Sequence, residues 1–217
     1  QPLWWDEADY LAYAKTLAGI GGGWIVTPGH LSLFSFIVAA FFKLGISEAI
    51  TKFFVAFLPT FLVVPAVYLL CREFYNDRRI ALISALLMAT FWEFLFYGQR
   101  FHLEAPGLLL GFLAIYFFVK GYQKQEKLFG KIHPKWALLI SAALVALTVA
   151  VRLGYFLFGV FIVLYVLFAL NIREILRNKN AWIIIGVGVI GVALVSLYRF
   201  EAISSYISLH FGGLATL

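Results

Sequence analysis

The sequence is short of charge. Asp, Glu, Lys and Arg supply 13% of its 217 residues, against about 25% in a soluble domain. It has one cysteine, Cys71, which excludes an internal disulfide. One Met, six Pro and no polar low-complexity tract, beside 23 Phe, argue against disorder, and no internal repeat is found. No second His or Cys stands at ligand spacing from His30 or His102, so an interfacial hydrogen-bonding role suits both better than zinc ligation. The Gly-rich GIGGG lacks the strand and helix around it that a nucleotide loop needs. No initiator Met, signal peptide or helix comes ahead of Trp4, so a natural N-terminal membrane anchor and a further C-terminal part are expected outside this chain.

What the sequence has is apolar surface. Hydrophobic residues make up 63% of it, aromatics 18%, and mean hydropathy is +0.94, the composition of an integral membrane protein. Six runs are candidates to span a bilayer, at about 51–71, 80–97, 103–120, 136–151, 154–171 and 181–198. None alternates as a strand would, and lipid leaves no backbone group unpaired, so the expected fold is an all-α polytopic bundle. Three loops, CREFYNDRR, Lys120 to Lys135 and NIREILRNKN, hold 11 of the 17 basic residues and fall on one side. The positive-inside rule makes that side cytoplasmic and places GQRFHLEA and AVRLG outside. The net charge of +6 therefore reports topology rather than an anionic partner such as nucleic acid.

A seventh run, His30 to Gly45, is about 16 residues long and interrupted by Ser32 and Ser35. It either crosses or lies along the interface. Crossing would put the acidic WWDEADY, Trp4 to Tyr10, on the side opposite GQRFHLEA; lying flat would put both outside. In a helix starting near Trp5, Asp6, Glu7 and Tyr10 share an arc of roughly 100°, with Asp9 beside Asp6. On the residues alone, this is either an acidic first turn beside an aromatic belt or half of a functional site.

The order of motifs favours a site. W-D-E-x-x-Y-L, then a short run ending FFKLGISEAI, a helix ending YLLCREFYNDRRIALISALLMAT, and R-F-H-L-E-A-P together resemble the N-terminal half of GT-C glycosyltransferases. The branch resembled contains the protein O-mannosyltransferases and the bacterial lipid A aminoarabinose transferases, and the likeness runs from Trp4 to about Leu170. It implies that Asp6 and Glu7 are the acidic pair of the first outer loop, Tyr10 the aromatic that follows, Arg78 and Arg79 a cytoplasmic turn, and Glu104 the acid of the second outer loop. It also implies that the run from His30 to Gly45 is juxtamembrane. The expected layout is then a first outer loop over 1–50, a six-helix bundle over 51–198 and the start of another outer loop over 199–217.

The implied activity is transfer of a sugar from a polyprenyl- or dolichyl-phosphate donor to a protein, glycan or lipid acceptor at the outer face of the plasma or endoplasmic reticulum membrane. Asp6 is expected as the base, since a neutral hydroxyl must lose its proton as it attacks. Arg152, Arg100, His102 and His30 are candidate donor contacts, with Glu7 and Glu104 orienting the acceptor. No cofactor is required by this reading; a divalent cation, Mg or Mn, on Asp6 and Glu104 is optional. Each residue also has a structural reading: Glu104 at a helix mouth, Arg152 as a headgroup anchor, Glu93 facing the bundle or paired with Arg100. Two departures from the family stand out. Thr27-Pro28-Gly29-His30-Leu31 replaces a basic residue followed by Pro-Pro-Leu, and Asp9 stands where some members carry a base. The competing class is a transporter or non-catalytic scaffold, although most acids lie near outer helix ends rather than at midplane.

Overall fold

The computed structural model describes residues 5–21, 33–124 and 133–169, together with 177, 182, 185 and 186. All regular structure among them is helical, as an all-α membrane protein requires. Two short helices come first, α1 (Trp5–Ala18) and α2 (Leu33–Lys43). At 1.5 Å per residue, the 11 residues of α2 rise about 16 Å, half of a ~30 Å hydrocarbon core. Phe34, Val38, Ala39 and Phe42 line one face of α2 at helical spacing and bury against Tyr10, Leu11 and Ala14 of α1.

The first long span is Glu48–Tyr75. Ser47 caps it, its hydroxyl accepting from the Ile50 amide at 3.4 Å, and α3 (Glu48–Lys52) opens it. A π turn over Phe53–Phe57 links α3 to α4 (Leu58–Tyr75), with the Leu58 amide bonded five residues back to Phe53. Pro59 explains that wide turn, because it has no N–H and its ring would strike the carbonyl four residues behind it. Asn76, left-handed at φ 51°, ends α4, and Asp77 caps α5 (Arg78–Thr90) by accepting from the Arg79 amide at 2.7 Å.

The run at 80–97, expected as one span, is broken. Phe91 leaves helical geometry (φ −69°, ψ 108°), and α6 (Trp92–Gly98) departs at 58° from α5. Three further helices complete the bundle: α7 (Glu104–Phe118), continued by a π turn to Gln123, α8 (Pro134–Val151) and α9 (Phe156–Ala169). Among the described residues, Glu48–Tyr75, Glu104–Tyr122 and Pro134–Val151 are long and apolar enough to cross, and the bent pair makes a fourth if counted as one span. The run at 154–171 is described for 14 helical residues, and the run at 181–198 lies almost wholly outside the described residues.

Leu70, Ala114, Phe118, Leu138, Val145 and Ile162 form the central core, joining α4, α7, α8 and α9. Ser141 adds a polar tie, donating to the Ala114 carbonyl at 2.7 Å. At one end, Lys120 and Lys124 reach Glu73 at 2.9 and 2.7 Å and fasten the last turn of α7 to α4. The four-residue spacing of Gly107 and Gly111 gives α7 a flat face on which Tyr155 and Phe158 rest, so α9 approaches α7 closely. A larger residue at Gly111 would overlap the Phe158 ring. Gly111→Leu is therefore expected to destabilise the protein by roughly 1–3 kcal/mol, read as a lowered thermal midpoint in detergent; an unchanged midpoint would contradict this packing.

Candidate functional site

The end of the bundle opposite Glu73 carries the acidic segments. Helix α1 begins at Trp5 with both Asp6 and Glu7 in its first turn, where the helix dipole favours carboxylates. The ~100° step between neighbours then separates them. Glu7 turns inward, with 2% of its surface exposed, and Asp6 turns out. Among the described residues, no hydrogen bond or ion pair is formed by the Asp6 side chain. Tyr10, one turn on from Glu7, is buried edge-on to Phe34 at 6.1 Å and to His102 at 6.4 Å.

Glu7 is held from three directions. Its Oε1 accepts from Lys52 Nζ at 3.2 Å and from the Phe101 amide at 3.0 Å, and its Oε2 lies 3.5 Å from Arg100 Nη1. Arg100 is itself buried and stacks over Phe96 at 4.5 Å, while Lys52 stands 5.5 Å over Phe101. One carboxylate thus ties α1 to the start of the first long span and to the loop between α6 and α7. Arg100 pairs with Glu7 rather than with Glu93, which is exposed on α6. Of the two structural readings of Glu93, facing the bundle or pairing with Arg100, neither is met among the described residues.

Glu104 opens α7 and divides its two oxygens. Oε1 accepts from Arg152 Nη1 in the turn after α8, and Oε2 faces His102 Nδ1. His102 is buried against Tyr97, ring centroids 4.8 Å apart, so its ring is fixed from behind. The Arg152 side chain is 47% exposed, leaving part of its guanidinium fork open for another acceptor.

The structure therefore links Glu7, Tyr10, Arg100, His102, Glu104 and Arg152 in one network along residues 100–104. Asp6 stands exposed beside it, and His30 lies outside the described residues. Two members went unnoticed in the sequence, Lys52 and Tyr155. A lone cation at the mouth of the apolar run ITKFFVAFLP was a usable signal for Lys52; Tyr155, one aromatic among many, offered none. No three His, Cys, Asp or Glu side chains come together among the described residues. Both Glu104 oxygens face basic groups, a setting that does not fit a divalent cation held by Asp6 and Glu104.

Two features set the electrostatics. The Glu7 charge is stabilised by two cations and a main-chain N–H, without which burial would be very costly. The Tyr155 hydroxyl, in the turn between α8 and α9, donates to the main-chain carbonyl of Glu104 at 3.4 Å beside the Arg152 charge.

A family model described as dolichyl-phosphate-mannose-protein mannosyltransferase matches residues 30–198. The match takes in Lys52, Arg100, His102, Glu104 and Arg152 and begins after Asp6, Glu7 and Tyr10. No curated protein and no solved structure matches the chain. Glu7→Gln, which removes the charge but keeps an acceptor for the Phe101 amide, is expected to destabilise by about 3 kcal/mol by leaving Lys52 and Arg100 without their counter-charge. Lys52→Met should restore part of that loss in the double variant, measured by thermal unfolding; strictly additive losses would show that the pair is not coupled.

Proposed function

The chain belongs to the dolichyl-phosphate-mannose-protein mannosyltransferase family of GT-C membrane glycosyltransferases, and we propose that it moves a sugar from a dolichyl- or polyprenyl-phosphate donor to an acceptor hydroxyl at the outer membrane face. The observation that carries this reading beyond the family is the Glu104 cluster. It presents a half-exposed guanidinium, oriented by a carboxylate, at the same end of the bundle as an exposed aspartate.

In the proposed reaction, the acceptor oxygen attacks the anomeric carbon and gives its proton to Asp6. The bond from that carbon to the phosphate oxygen breaks, and the lipid phosphate leaves with the electron pair. A carboxylate serves as base when it is accessible and not already neutralised by a cation. Asp6 meets that description among the described residues, whereas Glu7 is enclosed by Lys52 and Arg100. Glu7, enclosed by its cations, acts in this reading as a support for the site. Arg152 receives the donor's phosphate, with Glu104 orienting it and His102 backing Glu104.

The side of the membrane follows from charge. The turn with Arg72, Arg78 and Arg79, and the Lys120–Lys124 end of α7, lie away from Glu104, which supports an outward-facing site.

Transfer of radiolabelled mannose from dolichyl phosphate mannose by the full-length protein in membranes tests the assignment. Asp6→Asn should lower kcat by at least ~100-fold with donor binding retained, and Arg152→Ala should lower kcat as well as raise KM. Undiminished turnover in Asp6→Asn would remove the base assignment.

A further inference from the structure

Tyr155 touches both members of the Glu104–Arg152 pair through contacts outside that pair. Arg152 leaves α8 in an extended conformation (φ −148°, ψ 125°), and the Tyr155 amide, three residues on, donates to the Arg152 carbonyl at 3.0 Å. This turn sets the Arg152 guanidinium over the Tyr155 ring, 6.0 Å from its centroid. The ring lies against α7 at Gly107, where even a methyl group would overlap it. From that notch the hydroxyl donates to the main-chain carbonyl of Glu104 at 3.4 Å. A long, half-exposed arginine side chain has many rotamers, and a phosphate that must select one of them binds more weakly than one that finds it already set. Glu104 holds one end of the fork, and a ring wedged against a glycine stands against its face.

We propose that Tyr155 is a positioning residue for the lipid-phosphate site, holding the Arg152 guanidinium in the orientation that receives the phosphate. This rests on the reading that Arg152 is the phosphate contact. The notch at Gly107 belongs to the same device: only a residue without a side chain lets the ring sink far enough to reach both Glu104 and Arg152.

The test uses the full chain in detergent and compares binding of farnesyl phosphate with that of farnesol, which shares the isoprenoid but lacks the phosphate. The wild type should prefer farnesyl phosphate by at least ~10-fold, and Arg152→Ala should abolish the preference. Tyr155→Leu should reduce it by roughly fivefold, as should Gly107→Ala, which displaces the ring without touching the tyrosine. Adding Tyr155→Leu to Arg152→Ala should leave farnesyl phosphate affinity where Arg152→Ala alone puts it, because a positioning residue acts only through the group it positions. Farnesol affinity should stay unchanged throughout, which a general loss of folding would not allow. If Tyr155→Leu proves unstable, Tyr155→Phe, which keeps the ring in place, should show a smaller loss of the same sign.

A wild-type preference in the Tyr155 and Gly107 variants, or a further loss in the double variant, overturns the proposal while leaving Arg152 as the phosphate contact. Absence of any preference in the wild type, or its survival in Arg152→Ala, overturns the underlying reading and this proposal together.

Discussion

Glu7 is a carboxylate with 2% of its surface exposed, and a charge so placed is tolerable only inside a shell of cations and donors. Lys52, Arg100 and the Phe101 amide provide that shell, and they come from two segments far apart in the chain. Meeting the electrostatic demand of one residue therefore fixes three pieces of backbone: the first turn of α1, the start of the first long span, and residues 100–101. Once 100–101 are fixed, His102 and Glu104 have little freedom, because His102 follows Phe101 directly and only Leu103 separates it from Glu104, which opens α7. The Glu104 cluster is thus built on the Glu7 cluster, although the two share no direct ion pair among the described residues.

This dependence gives adjacent carboxylates opposite environments. Asp6 and Glu7 differ by one methylene and one ~100° helical step, yet one faces solvent and the other is enclosed. Had α1 been rotated by one residue, the buried cations would have met Asp6 and the exposed position would have fallen to Glu7. The apolar face of α1 prevents that rotation. Tyr10, Leu11 and Ala14 lie on the buried side with Glu7 and pack on α2, so hydrophobic burial and the Glu7 ion pairs set the register of the acidic pair together.

Much of this was legible in the sequence, and the limits were physical. The helical membrane class followed from composition and run length, and the two acidic segments stood out through the order of motifs that resembles the GT-C family rather than through their charge alone. The break at Phe91 was hidden because no Pro or Gly marks it; the run IALISALLMATFWEFLF reads as one continuous apolar stretch. The π turn before Pro59 was hidden for the opposite reason, since a proline near a helix start is usually harmless at N1, and the sequence does not say that the helix had already begun at Glu48. The partner of Glu7 was missed because the pairing spans 45 residues, and a lysine at the mouth of an apolar run reads first as a topology signal. Tyr155 depends on a glycine one helix away, a relation that no local pattern encodes.

The placing of Glu104 against Arg152 raises a further point under the proposed reaction, because a carboxylate beside a phosphate-binding cation weakens its pull on anions. The donor is a phosphodiester with one negative charge, and the departing lipid phosphate is a monoester that gains charge as the glycosidic bond breaks. A guanidinium partly neutralised by Glu104 interacts modestly with the first and more strongly with the second, so its contribution grows along the reaction coordinate, which is the condition for accelerating the chemical step rather than merely binding the donor. A fully uncompensated arginine would also hold the spent lipid phosphate tightly and slow its release. Under that proposal Glu104, shared between Arg152 and His102, moderates the cation while fixing its direction, which would give an acid a place in a site that accepts an anion.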